Sequence, residues 1–340
     1  MPSPYFTNVL VFGATGEVGS AVALEAHSRG ARVTIAMRDT SKPNEWITPE
    51  QERGANLQRI RADLTDPSSI ATALHQTGAQ AVFIYAVRST DTMRSAIAAL
   101  REAGTVKHVV FLSTAQVRAA GSKRNDIRSI RPDHFIPWQH AQVEIGLEEA
   151  GLPHTAVRAG FFASNPLRIY LDRSADPKQV QLLAPEVLHD PVDPADVGRV
   201  AGAVLVDPPM HTPNGLMNGS TDSTTPPDGS TSEKHVIYVT GPALLSQREQ
   251  WTIINAELAA ATKPQVVVSD ITVEEYLRNL AARGVPEIVA KSLAKSMSET
   301  RALYRAEDHD VESGNVEHWT GRKPSTFEAF VRREIPRYFD

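Results

Sequence analysis

The glycines near the amino end are the first residues whose type and spacing suit a chemical role. Gly13, Gly16 and Gly19 recur at intervals of three and follow the apolar residues 9–12, which suit a strand buried on both faces. The first glycine permits a tight turn, the second lets a phosphate approach the backbone, and the third lets the next helix pack close to the strand. Backbone N–H groups at the start of that helix then face an anion. The pattern predicts the pyrophosphate site of a dinucleotide; because its spacing is GxxGxxG and not GxGxxG, an ordinary strand–helix turn is the alternative.

Arg38 follows the second predicted strand, residues 32–37, at the position that discriminates between the two pyridine dinucleotides. A carboxylate there accepts hydrogen bonds from the ribose 2′-hydroxyl of NAD, whereas an arginine suits the 2′-phosphate of NADP. Arg38 therefore predicts NADP(H) as cofactor; the alternative is that Arg38 is solvated and Asp39 binds the ribose. Asp63 is a candidate for the adenine amino group, unless Asp63 or Asp66 only caps the next helix. The other predicted cofactor contacts are Thr15, Glu17, Val18, Leu64, Ala86 and Val87.

Polar and aromatic residues follow the fifth and sixth predicted strands, at the sheet edge where ligands bind in open α/β folds. Thr114, beside Ser113, can donate a hydroxyl to a substrate oxygen; the alternative is that these hydroxyls only satisfy backbone groups. Phe161 and Phe162 are predicted to form walls of a substrate cavity, with Asn165 beside them, and an ordinary core role for the two aromatics is the alternative.

Strands and helices must alternate along the chain to bring these residues to one edge. The predicted strands are residues 9–12, 32–37, 57–62, 81–86, 107–113, 154–159, 236–240 and 265–269. The predicted helices are residues 17–27, 68–77, 91–103, 138–150, 194–206, 246–260, 273–283, 286–304 and 325–338. This order predicts an α/β fold: a Rossmann-type, doubly wound parallel sheet with a smaller, mainly helical C-terminal substrate part.

The predicted domains are a dinucleotide-binding domain, residues 1–160, and a substrate-binding part, residues 161–340, interleaved with the last elements of the sheet. Residues 207–234, rich in Pro, Gly, Ser and Thr, are expected to form a mobile surface insertion. Residues 39–56 look irregular. Residues 117–137 form a long basic segment that either closes over the substrate and favours an anion or is a solvated loop. Its cationic residues are Arg118, Lys123, Arg124, Arg128 and Arg131.

Composition excludes several classes of protein and site. The 340 residues carry a formal net charge of −5, which argues against nucleic-acid binding, and no cysteine, which excludes disulfides and thiolate sites. No histidine or carboxylate spacing matches a metal site, and no GxSxG nucleophile elbow occurs. No apolar run approaches a membrane span and no room is left for a signal peptide, so a cytoplasmic protein is expected, as a monomer or homodimer.

Several motifs together resemble the NmrA-like group of atypical short-chain dehydrogenases/reductases. They are residues 13–19 (GATGEVG), Arg38, and residues 111–115 (FLSTA), 158–165 (RAGFFASN) and 193–200 (DPADVGRV). Residues 238–242 and 319–327 are similar to the fungal branch of festuclavine and agroclavine dehydrogenases. The resemblance implies either an NAD(P)H-dependent reductase or a non-catalytic dinucleotide-sensing regulator.

The same resemblance places two unusual residues at the catalytic helix. Short-chain reductases commonly use Tyr-x-x-x-Lys, and residues 138–144 align so that Ile136 and His140 stand at those two positions. Without the tyrosine, reduction of an iminium or conjugated acceptor is favoured over that of a plain ketone, whose alkoxide must be protonated. His140 is a candidate proton donor and cofactor contact, whereas an exposed pair with Glu144, four residues later, is the alternative.

These observations give three functional hypotheses. The first is an NADPH-dependent reductase of a small, largely apolar metabolite, plausibly in fungal secondary metabolism, with Thr114 and His140 orienting the acceptor. The second is a non-catalytic NADP(H)-binding regulator that acts through a partner surface. The third is a redox-neutral isomerase or cyclase on the same scaffold.

Overall fold

The short apolar run at residues 8–12 becomes the central strand of a parallel sheet. The computed structural model describes residues 4–209, 234–298 and 305–339. The strands in that part of the chain are β1 (Asn8–Phe12), β2 (Arg32–Met37), β3 (Gln58–Arg61), β4 (Ala81–Tyr85), β5 (His108–Thr114), β6 (His154–Ala159), β7 (Gln179–Leu182), β8 (Leu188–His189), β9 (Lys234–Val239), β10 (Leu245–Ser246) and β11 (Val267–Asp270). Seven of them form one parallel sheet in the order β3-β2-β1-β4-β5-β6-β9.

The order reverses between β1 and β4, because the chain winds outward through β2 and β3 and then returns to the other side of β1. Such a switch point opens a crevice at the carboxyl ends of the two strands, which is where α/β proteins bind ligands. This arrangement is the predicted Rossmann-type α/β fold.

The helices cover both faces of the sheet. Within the described residues they are α1 (Glu17–Ser28), α2 (Pro49–Gly54), α3 (Pro67–Thr77), α4 (Arg94–Glu102), α5 (Val117–Ala120), α6 (Phe135–Glu149), α7 (Pro194–Val206), α8 (Gln247–Ala260), α9 (Val273–Ala282), α10 (Glu287–Ser298), α11 (Ala306–Glu312), α12 (Asn315–Thr320) and α13 (Phe327–Phe339). Val9 and Val11 pack against the layer of α1 and α7, whereas Leu10 and Phe12 pack against α3, α4 and α6. Both faces of β1 are therefore buried, as its unbroken apolar sequence predicts.

The C-terminal part is mainly helical and has its own apolar core. Trp251 from α8 and Phe330 from α13 lie at the centre of that core, next to the parallel pair β7–β11. A second small pair, β8–β10, runs antiparallel. None of the helices in the described ranges is long and apolar enough to cross a bilayer.

Most predicted boundaries agree with the structure to within a few residues, and α7 begins at Pro194 with the Asp193 carboxylate accepting from the Ala195 N–H, as expected of an N-cap. Two segments were interpreted wrongly. Residues 39–56 contain α2, whose start is closed by a capping box between Thr48 and Gln51. The basic segment 117–137 contains α5 and the first turn of α6, which begins at Phe135. Residues 210–233 of the predicted insertion and 299–304 of a predicted helix lie outside the described residues.

Candidate functional site

The glycine turn after β1 has the geometry that a phosphate-binding backbone needs. Gly13 adopts a φ of +74°, which side chains disfavour, and its carbonyl accepts from the Gly16 N–H at 3.0 Å. A Cβ placed on Gly19 would lie 2.2 Å from the Gly13 oxygen, so α1 packs against the turn only because that residue is glycine. The helix begins with Gly16 as N-cap, which has no side chain to accept the first N–H groups. These groups are therefore available to an anionic ligand.

A cleft of about 1140 Å³ opens above this turn, at the carboxyl ends of β1 to β4; we call it the glycine-turn cleft. Predicted cofactor residues that line it are Gly13, Thr15, Gly16, Arg38, Asp63, Leu64 and Val87. The buried Asn44 side chain ties the loop after β2 to the turn by donating to the Ala14 carbonyl at 2.8 Å. Its own oxygen accepts from the Trp46 and Ile47 N–H groups, which holds the cleft wall in place.

The two candidate ribose ligands after β2 differ in what they already bind. Asp39 accepts from the Ser41 hydroxyl at 2.6 Å and from the Ser41 N–H at 3.0 Å, and these hydrogen bonds lower the pKa of Asp39. Arg38 is exposed and lines the cleft together with Lys42. Asp39 also lines the cleft, but one of its carboxylate oxygens is already engaged by Ser41, whereas the neighbouring guanidinium and ammonium face the cleft. This favours a phosphate over a free hydroxyl.

The two acidic residues after β3 have separate roles. Asp66 caps α3 by accepting from the Ser68 and Ser69 N–H groups at 3.1 and 3.2 Å. Asp63 accepts from the N–H and hydroxyl of Thr65 and lines the glycine-turn cleft. The cap role therefore belongs to Asp66.

Some predicted cofactor residues do not line the cleft. Glu17 accepts from the Ser164 hydroxyl at 3.0 Å and from Arg168 at 3.1 Å, and burial raises the pKa of Glu17. Val18 is buried in the core and Gly19 lies beneath the turn. Ala86 packs against the core on the other face of the sheet. Side chains in the first turn of α1 therefore fix that helix, and its backbone faces the cleft.

Residues distant in sequence complete the cleft and were missed. Tyr85 lies over the turn, because a Cβ on Gly13 would come within 2.8 Å of its ring. The C-terminal helix α13 brings Arg337 and Tyr338 to the opposite wall, where Arg337 lies 3.7 Å from the Trp46 ring and pairs with Glu45 at 3.0 Å. No local pattern in the sequence connects α13 with the loop after β2.

A second, smaller space of about 220 Å³ lies at the carboxyl ends of β5 and β6; we call it the β5–β6 cavity. It brings together all five predicted catalytic and substrate residues, which are Thr114, His140, Phe161, Phe162 and Asn165. Ile136, Gln116 and His189 also line it. Among the described residues that form its walls there is no Asp, Glu, Lys or Arg. Helix α6 contacts both spaces, since its His140 lines the cavity and its Gln139 donates at 2.9 Å to the carbonyl of Val87, which lines the cleft.

The two adjacent hydroxyls at the end of β5 point to different partners. Ser113 is buried and donates to Glu144 Oε1 at 2.7 Å. Thr114 is partly exposed in the cavity, and within the described residues its oxygen accepts a single long contact, 3.3 Å from the Gln116 N–H. Of the two, Thr114 is the residue that can donate its hydroxyl to a bound molecule.

A buried ion pair lies next to the β5–β6 cavity. Arg158 of β6 donates to both oxygens of Glu144, at 3.1 and 2.7 Å, and to the Tyr238 hydroxyl at 2.8 Å. Tyr238 in turn donates to Asn125 Oδ1 at 3.0 Å. Burial alone would lower the pKa of Arg158, but the Glu144 carboxylate outweighs it and raises that pKa above its usual range. Glu144 therefore pairs with Arg158 in the core, and the exposed His140–Glu144 pair considered from sequence is wrong.

His140 faces the cavity as a neutral imidazole with a defined tautomer. Burial lowers the pKa of His140. Its Nδ1 lies 2.9 Å from the Ile136 carbonyl, which can only accept, so Nδ1 carries the proton and Nε2 has the free lone pair. In this state Nε2 accepts a hydrogen bond and cannot donate one. A proton-donor role, as predicted, requires the imidazolium that burial disfavours.

His189 lines the same cavity, although no motif in the sequence singled it out. It is 1% exposed and packs against Phe161, with ring centroids 4.4 Å apart and the ring planes tilted by 31°. Neither ring nitrogen has a hydrogen-bond partner in the described part of the chain. Burial lowers the pKa of His189 to about 4, so the ring is neutral near pH 7. His189 lies in β8, which pairs with β10 outside the central sheet, and this tertiary arrangement brings the residue to the cavity.

The basic segment 117–137 is largely neutralised by acidic partners. Arg118, buried beside the Tyr238 ring, pairs with Glu312, and Arg124 pairs with Asp308. Arg128 pairs with Glu148 and Glu149, and Arg131 with Asp133. These contacts tie the segment to α11 and α6, and the described lining of the β5–β6 cavity includes none of its cations. The described residues also contain no cluster of His, Asp or Glu suited to a metal.

Comparison with known proteins settles the family. The profile of the NmrA-like family matches residues 7–229, about two thirds of the chain. The chain belongs to the NmrA-like family. The predicted family is thus confirmed.

Named relatives of this family member fall into two kinds. It is 66% identical, over 340 residues and the full length of both chains, to the nitrogen metabolite regulation-like protein bik4 of Gibberella fujikuroi. It is 26% identical, over 88% of this chain and 89% of the other, to a (4-alkanoyl-5-oxo-2,5-dihydrofuran-3-yl)methyl phosphate reductase of Streptomyces griseus. An NADPH-dependent quinone oxidoreductase from Escherichia coli, solved with NADPH, has the same fold, with a TM-score of 0.62 at 18% identity over 96% of this chain and 99% of that one.

Proposed function

We propose that this protein is an NADPH-dependent reductase of a small, uncharged, conjugated carbonyl compound. The observation that carries the proposal is the β5–β6 cavity, whose described walls hold no charged side chain but expose the Thr114 hydroxyl beside two phenylalanines. A cavity with apolar walls and a few polar groups is the usual form of a small-molecule site. It lies at the ends of β5 and β6, next to β4 in the sheet and at the same edge as the glycine-turn cleft, which supports a substrate site beside a bound dinucleotide.

The cofactor assignment rests on the glycine turn and on the residues after β2. The positive φ of Gly13, the close packing of Gly19 and the open start of α1 fit a pyrophosphate. Arg38 is exposed to the cleft, whereas Asp39 is held by Ser41. The exposed Arg38 therefore favours the 2′-phosphate of NADP(H) over the free ribose hydroxyl of NAD(H). NADPH is also the dinucleotide bound by the structurally similar quinone oxidoreductase. When bound, NADPH supplies a hydride.

The cavity walls also select between the two acceptor classes expected from sequence. An iminium substrate is a cation, and the described walls offer no carboxylate to pair with it, so its desolvation would be uncompensated. A quinone or enone is neutral. Addition of hydride to it gives a delocalised oxyanion, which Thr114 can stabilise with one hydrogen bond and which takes its proton from solvent. Such a reaction tolerates Ile136 and His140 in place of a Tyr/Lys pair, because no strongly basic alkoxide forms.

The test is oxidation of NADPH, followed at 340 nm with menadione, cyclohexenone, acetophenone and N-methyl-3,4-dihydroisoquinolinium as acceptors. We expect turnover with the quinone or the enone and none above background with the ketone or the iminium. Thr114→Val should lower kcat by about tenfold or more while the Kd for NADPH stays unchanged, because one oxyanion donor is lost. Tight NADPH binding with no turnover of any acceptor would refute the reductase.

A second candidate function is a non-catalytic NADP(H)-binding regulator. It is favoured by the 66% identity to a relative named for nitrogen metabolite regulation, and by the replacement of the Tyr/Lys pair. Calorimetry separates the two. A sensor must bind NADPH and NADP⁺ with affinities that differ enough to report their ratio. A reductase, in contrast, binds a substrate in the β5–β6 cavity when NADP(H) is bound beside that cavity.

A further inference from the structure

The imidazole of His189 is the least satisfied polar group of the β5–β6 cavity. Both ring nitrogens are shielded from water and lack a hydrogen-bond partner within the described residues. Buried polar groups are nearly always hydrogen-bonded, because an unpaired one loses its hydration without compensation. A neutral imidazole has one N–H donor and one acceptor nitrogen, so two unmet hydrogen bonds are present in one ring.

The position of this ring indicates what would satisfy it. His189 packs against Phe161 with ring centroids 4.4 Å apart and the planes tilted by 31°, and both residues line the cavity. A hydroxyl can pair with whichever nitrogen is presented, since it both donates and accepts, whereas a carbonyl can only accept.

We propose that His189 determines the specificity of the cavity, and that its ligand is an uncharged planar ring carrying a hydroxyl group that hydrogen-bonds the imidazole. The proposal rests on the proposed function in that it assigns a substrate class to the same site. The planar ring follows from Phe161 and Phe162, which offer flat apolar surfaces. The lack of charge follows from walls without acidic or basic side chains among the described residues. The hydroxyl follows from His189 itself.

The test compares two ligands that differ only in the group aimed at the imidazole. 2-Naphthol and 2-methylnaphthalene have nearly the same shape, and their dissociation constants can be measured by equilibrium dialysis against the full-length protein saturated with NADP⁺. We expect the wild type to bind 2-naphthol about 10- to 100-fold more tightly, because the methyl group leaves the imidazole unpaired. Equal binding of the two would overturn the proposal and would mean that a buried water or nothing satisfies His189.

Matched variants then test whether His189 causes the preference for 2-naphthol. His189→Phe keeps an aromatic ring on Phe161 and should reduce the preference for 2-naphthol to within about twofold, whereas Thr114→Val should retain it. Retention of the preference in His189→Phe, or its loss only in Thr114→Val, would refute the role of His189. His189→Leu is the substitute if the phenylalanine variant does not fold. If neither folds, Thr114→Val decides: a retained preference for 2-naphthol supports His189, and a lost preference refutes it. Neither ligand needs to be reduced, so this binding test remains valid even if the reductase assay shows no turnover.

Discussion

The glycine-turn cleft and the β5–β6 cavity lie side by side at the carboxyl edge of one sheet, yet they place their charges differently. The cleft exposes cationic side chains to its ligand, among them Arg38 and Lys42. The cavity has no such residue among its described walls, and the charges nearest to it, Glu144 and Arg158, are buried and paired with each other. The first region suits a polyanion and the second a neutral molecule.

This difference distinguishes the charged residues that bind a ligand from those that stabilise the fold. Exposed charges in the cleft contribute little to folding, because their attraction is screened by water, but they gain a partner when a phosphate arrives. A buried ion pair beside the cavity contributes little to binding directly, yet it cannot lose one member without leaving a charge unpaired in the core. Substitutions in the two regions should therefore change different measurements.

The largest effect is expected from Glu144→Gln next to the cavity. The variant keeps the shape of the side chain but leaves Arg158 uncompensated, so we expect a loss of about 3–5 kcal/mol in the free energy of unfolding. Urea unfolding measures it. Glu149→Gln on the same helix is the control, because Glu149 pairs on the surface with Arg94 and Arg128 and should cost no more than about 1 kcal/mol. Equal losses in the two variants would contradict the contrast between the regions.

The second-largest effect is a decrease in the free energy of unfolding at acidic pH, caused by His189 in the cavity wall. Burial lowers the pKa of His189 to about 4, so between the ordinary histidine range and pH 4 the unfolded chain binds a proton that the folded chain does not. Stability therefore falls as the pH drops through that window, and full protonation of the unfolded ring corresponds to about 3 kcal/mol. His140 shifts in the same direction.

This contribution is measured as a difference between proteins. Urea unfolding of the wild type and His189→Phe from pH 7 to 4 should show a shallower decline for the variant, and the exposed His75→Gln should follow the wild type. Parallel profiles for wild type and His189→Phe would mean that His189 is not buried as a neutral ring.

The third effect concerns only the cleft. Arg38→Ala should weaken NADPH binding by about 10- to 100-fold, the cost of one charged hydrogen-bonded phosphate contact, and leave NADH binding and unfolding nearly unchanged. Calorimetry with both dinucleotides measures it. Arg32→Ala, at the opposite end of the same strand, is the matched control and should bind both as the wild type does. An equal loss of NADPH and NADH affinity in Arg38→Ala would refute the choice of NADP(H).

The smallest effect is expected at Arg128, a cation of the basic segment that lines neither the cleft nor the cavity. Arg128 is half exposed and pairs with Glu148 and Glu149. Arg128→Ala should change the free energy of unfolding by about 1 kcal/mol or less and leave KM for the acceptor unchanged. A marked rise in KM would show that the segment contributes charge to the cavity after all.

Much of the fold and of the candidate site could be predicted from the sequence, because short-range interactions determine it. The glycine turn, the strand–helix alternation and Arg38 were predicted because their backbone requirements act within a few residues. Thr114, Phe161, Phe162 and Asn165 were placed at the right sheet edge because parallel strands end together. The helix at Pro49–Gly54 was missed because its signal, a capping box without an apolar stripe, is short and polar.

The amino-acid sequence by itself determined the dinucleotide-binding half, since its turn, its helix start and the residue after β2 follow from neighbouring residues and need no distant partner. Only the tertiary structure decided which charges face a ligand. Glu144 and Arg158 cancel one another in the core, the basic segment is paired with α6 and α11, and β8 brings His189 to the cavity. Pairing across many residues of chain depends on packing, and no local pattern encodes it.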